Sequence, residues 1–194
     1  MPKRYARRRI TDHSGQCRWC DRARPHRWAY IRAVEHRPPQ LTHVDEAGAA
    51  RMVDVSTKDV SVRRAVAAGS VRTTAEVIAL LARDELPKGD ALAVARVAGI
   101  LGAKRTPDLI PLCHPIALHG VEVDLSLSAS SVEITATVRT ADRTGVEMEA
   151  LTAVATAGLT VIDMIKAVDP AAVITDVRVL RKEGGKTGLW ERSS

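Results

Sequence analysis

The sequence predicts an α+β domain in which helices cover an antiparallel sheet. Strand and helix patterns do not alternate regularly along the chain, which argues against a doubly wound parallel sheet. The clearest strand pair, VEVDLSLS (121–128) and SVEITATVRT (131–140), is a hairpin: both members alternate with period two and only a few residues join them.

The elements follow in chain order. ARMVDVS (50–56) alternates and predicts a strand. SVRRAVAAGSVRT (61–73) fits either a strand or a helix, and Gly69-Ser70, which would interrupt a helix, decides for a strand. TTAEVIALLARDEL (73–86) is an amphipathic helix with Thr73 or Thr74 as its cap. Lys88-Gly89-Asp90 breaks the chain before ALAVARVAGILGAKR (91–105), a second helix that is apolar nearly all round. Pro111 and Pro115 leave room for no more than a short helix in 108–120. After the hairpin comes GVEMEALTAVATAGLTVIDMIKAVDP (145–170), a helix ended by Asp169-Pro170, and VITDVRVLRK (173–182) is the last strand.

Charge divides the chain in two. Residues 1–40 hold 11 Lys/Arg against 3 Asp/Glu, and the remainder holds 18 against 20, so the basic character belongs to an Arg-rich head. Tyr5, Trp19, Trp28 and Tyr30 lie in that head, and only Trp190 lies beyond it. Residues 1–40 read as a poorly folded extension and 41–190 as the domain. Within the head, Cys17 and Cys20 form a C-x-x-C with His13 and His26 nearby, a loose zinc spacing with no second cysteine pair. Its arginines interleaved with tryptophan also fit nonspecific RNA contact. The head lacks the apolar stretch of a secretory signal, and no apolar run approaches the length that crosses a bilayer, so a cytoplasmic location is expected.

The helix at 145–170 poses the main question, because Glu147, Glu149, Asp163 and Lys166 punctuate an otherwise aliphatic run. Thr144-Gly145-Val146-Glu147 fits a capping box, which would account for Glu147. Asp163 and Lys166 are three apart, the spacing of a local salt bridge. Glu149 and Asp163 fall within about 40° of each other around the helix, and apolar neighbours on all sides predict burial, where carboxylates need partners. Along the axis these two are about 21 Å apart, too far for one small site in one chain. Two copies packed antiparallel about a twofold axis would bring one helix's start beside the other's end.

Other candidates are less marked. Cys113 and His114 are sequence neighbours whose side chains usually diverge, a poor arrangement for a nucleophile and its base. Lys88 is either a solvated loop lysine or, with Gly89, part of an anion site at the start of the following helix. GGKTG (184–188) fails the phosphate-loop pattern, since Leu180 stands where the first Gly is required and no helix can follow. No Phe, Tyr or Trp occurs between Leu41 and Leu189, so a flat heterocycle bound there has no ring of this domain to stack on before Trp190.

Four runs, LTHVDEAGAARMVDVS, PKGDALAVARVAGILGAKRTPDLIPLCHPI, RTGVEMEALTAVATAGLTVIDMIKAV and RKEGGKTG, taken in order, resemble the cyclic pyranopterin monophosphate synthase family, the molybdenum cofactor biosynthesis protein C type. The resemblance runs from about Leu41 to Gly188 and leaves the head outside. It implies a ferredoxin-like α+β subunit in a hexamer, a trimer of dimers, with the site near the dimer interface. It implies a lyase that converts 3′,8-cyclo-7,8-dihydro-GTP to cyclic pyranopterin monophosphate with release of diphosphate, early in molybdenum cofactor biosynthesis. By the same resemblance Asp163 matches the active-site acid and Lys166 and Lys88 match essential lysines. Leu112, Cys113, His114, Met148 and Glu149 match substrate-contacting positions, with Glu147 beside them.

No cofactor and no metal is assigned to that site, and no membrane or nucleic-acid partner. Arg143, Ile162 and Ile165 depart from residues common in the family, and none of them removes a proposed catalytic group. The chemistry suits these residue types: the reaction needs successive proton transfers, and a triphosphate needs cations, for which Lys186 and Lys104-Arg105 are further candidates. The rival from another class is a non-catalytic nucleotide- or pterin-binding paralogue, against which the intact acid and lysines speak.

Overall fold

The structure, a computed structural model, describes residues 47–86, 88–186 and 188–193. The Arg-rich head, with its C-x-x-C, lies outside the described residues. Strand β1 (Ser61–Arg72) leads into helices α1 (Ala75–Ala82), α2 (Ala91–Lys104) and the single turn α3 (Thr106–Leu109). The hairpin β2 (Gly120–Leu127) and β3 (Ser131–Asp142) follows, then α4 (Glu147–Ile165), β4 (Val173–Glu183) and the two-residue β5 (Trp190–Glu191). The sheet order is β2-β3-β1-β4-β5 with every neighbouring pair antiparallel. Its first four strands have the split β-α-β order of ferredoxin-like folds, so the expected α+β class holds.

The sheet is organised around β1, which pairs with β3 from Ser61↔Asp142 to Arg72↔Ser131 and with β4 on its other side. Gly69, which decided this segment's reading as a strand, lies where the β1–β4 register shifts between Ala68 and Ser70. One sheet face carries Ala65, Ala67 and Val71 of β1 with Val132, Ile134, Ala136 and Val138 of β3, all fully buried. Against that face lies α4, through Ala150, Ala153, Val154, Ala157 and Val161.

Helix α2 packs against both α4 and β2. The approach of α2 to α4 is close because glycine faces it. A Cβ on Gly102 would lie 2.8 Å from the Thr156 Cβ, and one on Gly99 would lie 3.0 Å from the Ala153 carbonyl oxygen. Helices α1 and α2 are both capped by a side chain, α1 at the expected Thr74. The Thr74 hydroxyl accepts from the Val77 N–H to cap α1, and the Asp90 carboxylate accepts from the Ala93 N–H to cap α2.

Four expectations are corrected. Residues 51–55 form no ladder; the Asp54 carboxylate accepts from the Ser56 N–H and the Val55 carbonyl from the Lys58 N–H, so local turns take the bonds a strand would use. Thr144 caps nothing: Val146 is the N-cap of α4 without a side-chain bond, and Glu147 is the first helical residue. Asp163 is exposed rather than buried, because it lies on the outward side of a last turn whose Val161, Met164 and Ile165 face the core. Finally, α4 is, among the described residues, long and apolar enough to cross a membrane, contrary to the reading of the sequence, yet here it is the core helix.

Candidate functional site

The start of α4 forms one wall of a cavity of about 540 Å³. From α4 come Glu147, Met148 and Glu149, and from the turn after α3 come Leu112, Cys113 and His114. Val53, Val55 and Lys58 of the extended segment before β1, Thr144-Gly145, and Lys182 of β4 complete the lining. Pro107 stands in the single turn of α3, and the Cys113 N–H donates to the Ile110 carbonyl, so the chain turns at once and delivers Cys113 and His114 to the cavity. His114 Nε2 lies 2.8 Å from the Val53 carbonyl oxygen. A carbonyl only accepts, so Nε2 carries hydrogen and Nδ1 is the nitrogen left to take up or release a proton.

Glu149 is 3% exposed. Burial pushes its carboxyl up to about 7; its own backbone N–H pulls the other way, and the neighbouring Glu147 carboxylate adds to the rise. A carboxyl group titrating there can give or take a proton near neutral pH. Burial, and next the Glu149 charge, also raise the Cys113 thiol. Both effects favour the thiol form of Cys113 on the cavity wall.

Glu147 is anchored from across the sheet. Its Oε1 lies 3.1 Å from Lys182 Nζ, both side chains about two-thirds buried. Gly145 makes room for this: its missing Cβ would collide with the Glu147 carboxylate. The pull of the Lys182 ammonium from β4 replaces the turn back to Thr144 that a capping box would have made.

The other end of α4 carries a second polar cluster. Lys166 Nζ lies 2.7 Å from Asp163 Oδ1, the local bridge the spacing suggests. Lys88, from the turn before α2, lies 3.0 Å from Asp163 Oδ2 and donates to the Asp163 carbonyl oxygen at 2.8 Å. Hydrogen bonds from Lys166 and then Lys88, joined by their charges, lower the Asp163 carboxyl to about 2. Lys88 therefore does not form an anion site at α2, whose first turn Asp90 already caps.

The cavity and the Asp163–Lys166–Lys88 cluster thus lie at opposite ends of one helix, about 21 Å apart along its axis. Lys104, Arg105 and Lys186 join neither the cavity lining nor the cluster around Asp163. Among the described residues, no group of three or more His, Cys, Asp or Glu is placed to hold a metal ion.

Residues 52–185, more than half of the chain and containing both the cavity lining and the Asp163 cluster, match the family model described as the MoaC family. The chain belongs to the MoaC family. The cyclic pyranopterin monophosphate synthase of Streptomyces coelicolor is 68% identical over 154 residues, 79% of this chain and 91% of the relative. Cyclic pyranopterin monophosphate synthase 2 of Mycobacterium tuberculosis is 62% identical over 160 residues, 82% and 96% of the two chains. The Nocardioides synthase is 63% identical over 158 residues, 80% and 97%.

In this MoaC-family chain the sequence reading missed Lys182, Lys58 and Thr144 as lining residues. Lys182 stands in the RKEGGKTG run that carried part of the resemblance, but the glycines there drew attention to Lys186 instead. The signal that finds Lys182 is register: it pairs with Ala65 and with Trp190, beside the start of α4. Of the departures from the family pattern, Ile165 is fully buried and Ile162 is packed against the core, so both contribute to packing.

Proposed function

We propose that this chain is a cyclic pyranopterin monophosphate synthase, a lyase acting early in molybdenum cofactor biosynthesis. In this reading it converts 3′,8-cyclo-7,8-dihydro-GTP to cyclic pyranopterin monophosphate and diphosphate. The observation that carries the reading is the 68% identity to a synthase of that name over 154 residues. The residues support it. Opening one ring, closing the pyran and forming the cyclic phosphate require successive proton transfers, and Glu149, His114, Asp163, Lys166 and Lys88 are groups that make them. Lys58 and Lys182 supply cations for the phosphates in the cavity.

The two half-sites work together when two copies meet with their α4 helices antiparallel, so that one copy's cavity faces its partner's Asp163 cluster. An apolar stripe on the described surface favours association: Val94, Val97 and Leu101 of α2 are each about half exposed, as are Leu109 and Leu159. A hexamer built as a trimer of such dimers, a cytoplasmic location, and residues 1–40 as an extension outside the catalytic domain complete the proposal.

The test is to supply the cyclic triphosphate and measure diphosphate release. Turnover is expected for the parent and a loss of about 100-fold for Lys166→Ala. Full turnover in both Lys166→Ala and Asp163→Asn would remove that cluster from the site. Oligomers reassembled from Glu149→Gln and Asp163→Asn chains are expected to recover activity, because one of the two composite sites is then intact; no recovery defeats the shared site.

A further inference from the structure

Thr73 is the threonine that α1 leaves unused, since Thr74 caps the helix. Its hydroxyl instead donates to Asp169 Oδ2 at 2.7 Å, and its N–H donates to the Ser130 carbonyl at 2.9 Å. Asp169 lies just past α4 and is 8% exposed. Its N–H donates to the Ile165 carbonyl and its Oδ1 accepts from the Ala171 N–H, each at 3.0 Å, so the carboxylate is fixed to the end of that helix. Asp163, on the last turn of the same helix, holds Lys88. The end of α4 thus grips the chain at two places, Thr73 before α1 and Lys88 after it.

What joins the two grips is stiff. Helix α1 is eight residues long and buries only Val77 and Leu81, so its anchored ends set much of where it lies. Its last turn is closed by the Glu85 N–H on the Leu80 carbonyl at 3.0 Å and the Asp84 N–H on the Leu81 carbonyl at 3.3 Å. This is the Schellman arrangement, with Asp84 at φ 53° where glycine usually stands. Leu86 then enters the core, and the Gly89 N–H closes a turn onto its carbonyl with Lys88 inside.

We propose that Asp169 and Thr73 form a latch that positions Lys88 on Asp163; its effect on turnover rests on the synthase reading above. Both are positioning residues. Lys88 and Asp163 have side chains 44% and 56% exposed, and a pair so open to solvent holds weakly by itself. The Thr73–Asp169 bond is made on a buried carboxylate, which is a strong acceptor. A firm bond inside the protein therefore steers a weak one at its surface, through the stiff arm between them. Lys166 needs no such help, because α4 itself sets it three residues from Asp163. The latch therefore governs one of the two lysines and leaves the other alone. A merely structural bond would instead support both equally.

The test reads that difference on the full chain. Limiting acetic anhydride labels exposed amines, and mass spectrometry of the peptides quantifies acetylation at Lys88 and Lys166. Thr73→Val removes the hydroxyl and keeps the shape. One lost hydrogen bond moves the balance between held and released Lys88 about tenfold. That is expected as a rise of about threefold in Lys88 labelling, with Lys166 unchanged, and a fall of about threefold in kcat at nearly constant KM. Thr73→Ser should restore both readings. Asp169→Asn, a milder change that keeps uncharged bonds, should move both the same way by less. Lys88 labelling that stays level in Thr73→Val and Asp169→Asn while the denaturation midpoint falls overturns the latch. So does a rise shared equally by Lys166, since the end of α4 itself has then loosened. A parent chain that releases no diphosphate defeats the synthase reading instead, and the labelling, which uses no substrate, still decides the latch.

Discussion

Lys88 reaches Asp163 twice, 2.8 Å from its backbone carbonyl and 3.0 Å from its carboxylate, and so ties the turn before α2 to the end of α4. Lys166 holds the other carboxylate oxygen at 2.7 Å. The Asp163 side chain is more than half exposed, so solvent screens both pairs and their value to stability is small. Asp163→Asn is therefore expected to change Tm by no more than about 2 °C while lowering kcat about 100-fold, read by thermal unfolding beside diphosphate release. Because the carboxyl lies near 2, the acid side of the pH–rate profile does not report Asp163.

Glu149 makes an opposite prediction. Its folded value of about 7 stands above its usual 4.5, so the folded state gains protons relative to the unfolded chain between those values. Its contribution to stability is fully present below 4.5 and lost as pH rises toward 7, a swing on the order of 3 kcal/mol. Glu149→Gln should match the parent's denaturation midpoint in acid and exceed it above pH 7, while losing activity. The bend in kcat/KM near neutrality should vanish with it. Equal midpoints at both ends of the range would contradict a buried, raised carboxyl.

Gly145→Ala tests the seating of Glu147. A methyl group there occupies the space of the carboxylate, which must swing away from Lys182. Activity at low substrate should fall about tenfold with stability changed by less than about 1 kcal/mol, because the displaced atom is the end of a flexible side chain. Chemical denaturation and kinetics on the same sample separate the two effects.

The contact between α2 and α4 yields a stability prediction. Gly102→Ala forces its Cβ into Thr156 and should cost about 1–3 kcal/mol. Adding Thr156→Ala should return part of that loss, so the double variant is more stable than the sum of the two single changes implies. Additive losses in denaturant melts would mean the helices separate freely.

The fold was legible where local pattern and tertiary role agree. The period-two hairpin, the Thr74 cap and the long aliphatic helix each carry their own signal. The candidate site was half legible: one helix displayed Glu147, Glu149, Asp163 and Lys166, but a one-dimensional pattern cannot tell which end is covered. Glu149 is roofed by the cavity walls, whereas Asp163 projects, and both sit among the same Ala, Val and Leu. Lys182 escaped notice because its bond to Glu147 depends on where β4 pairs with β1. Val53 and Val55 look like strand residues and do serve a wall, but their carbonyls bond to His114 Nε2 and to the Lys58 N–H rather than to a neighbouring strand. Strand β5 is two residues long and is held to β4 by contacts no local pattern shows, the Arg181–Glu191 ion pair and the two bonds from Arg192.

In the proposed assembly, where each copy's cavity is completed by its partner's Asp163 cluster, the polar groups at the two tips of α4 set how damage would spread among sound and faulty chains. A lesion confined to one tip would silence one chamber and spare the other, so output would track the dose of good chains. A lesion that displaced both tips at once would silence two chambers per bad chain, and such an allele would behave as dominant over its healthy counterpart.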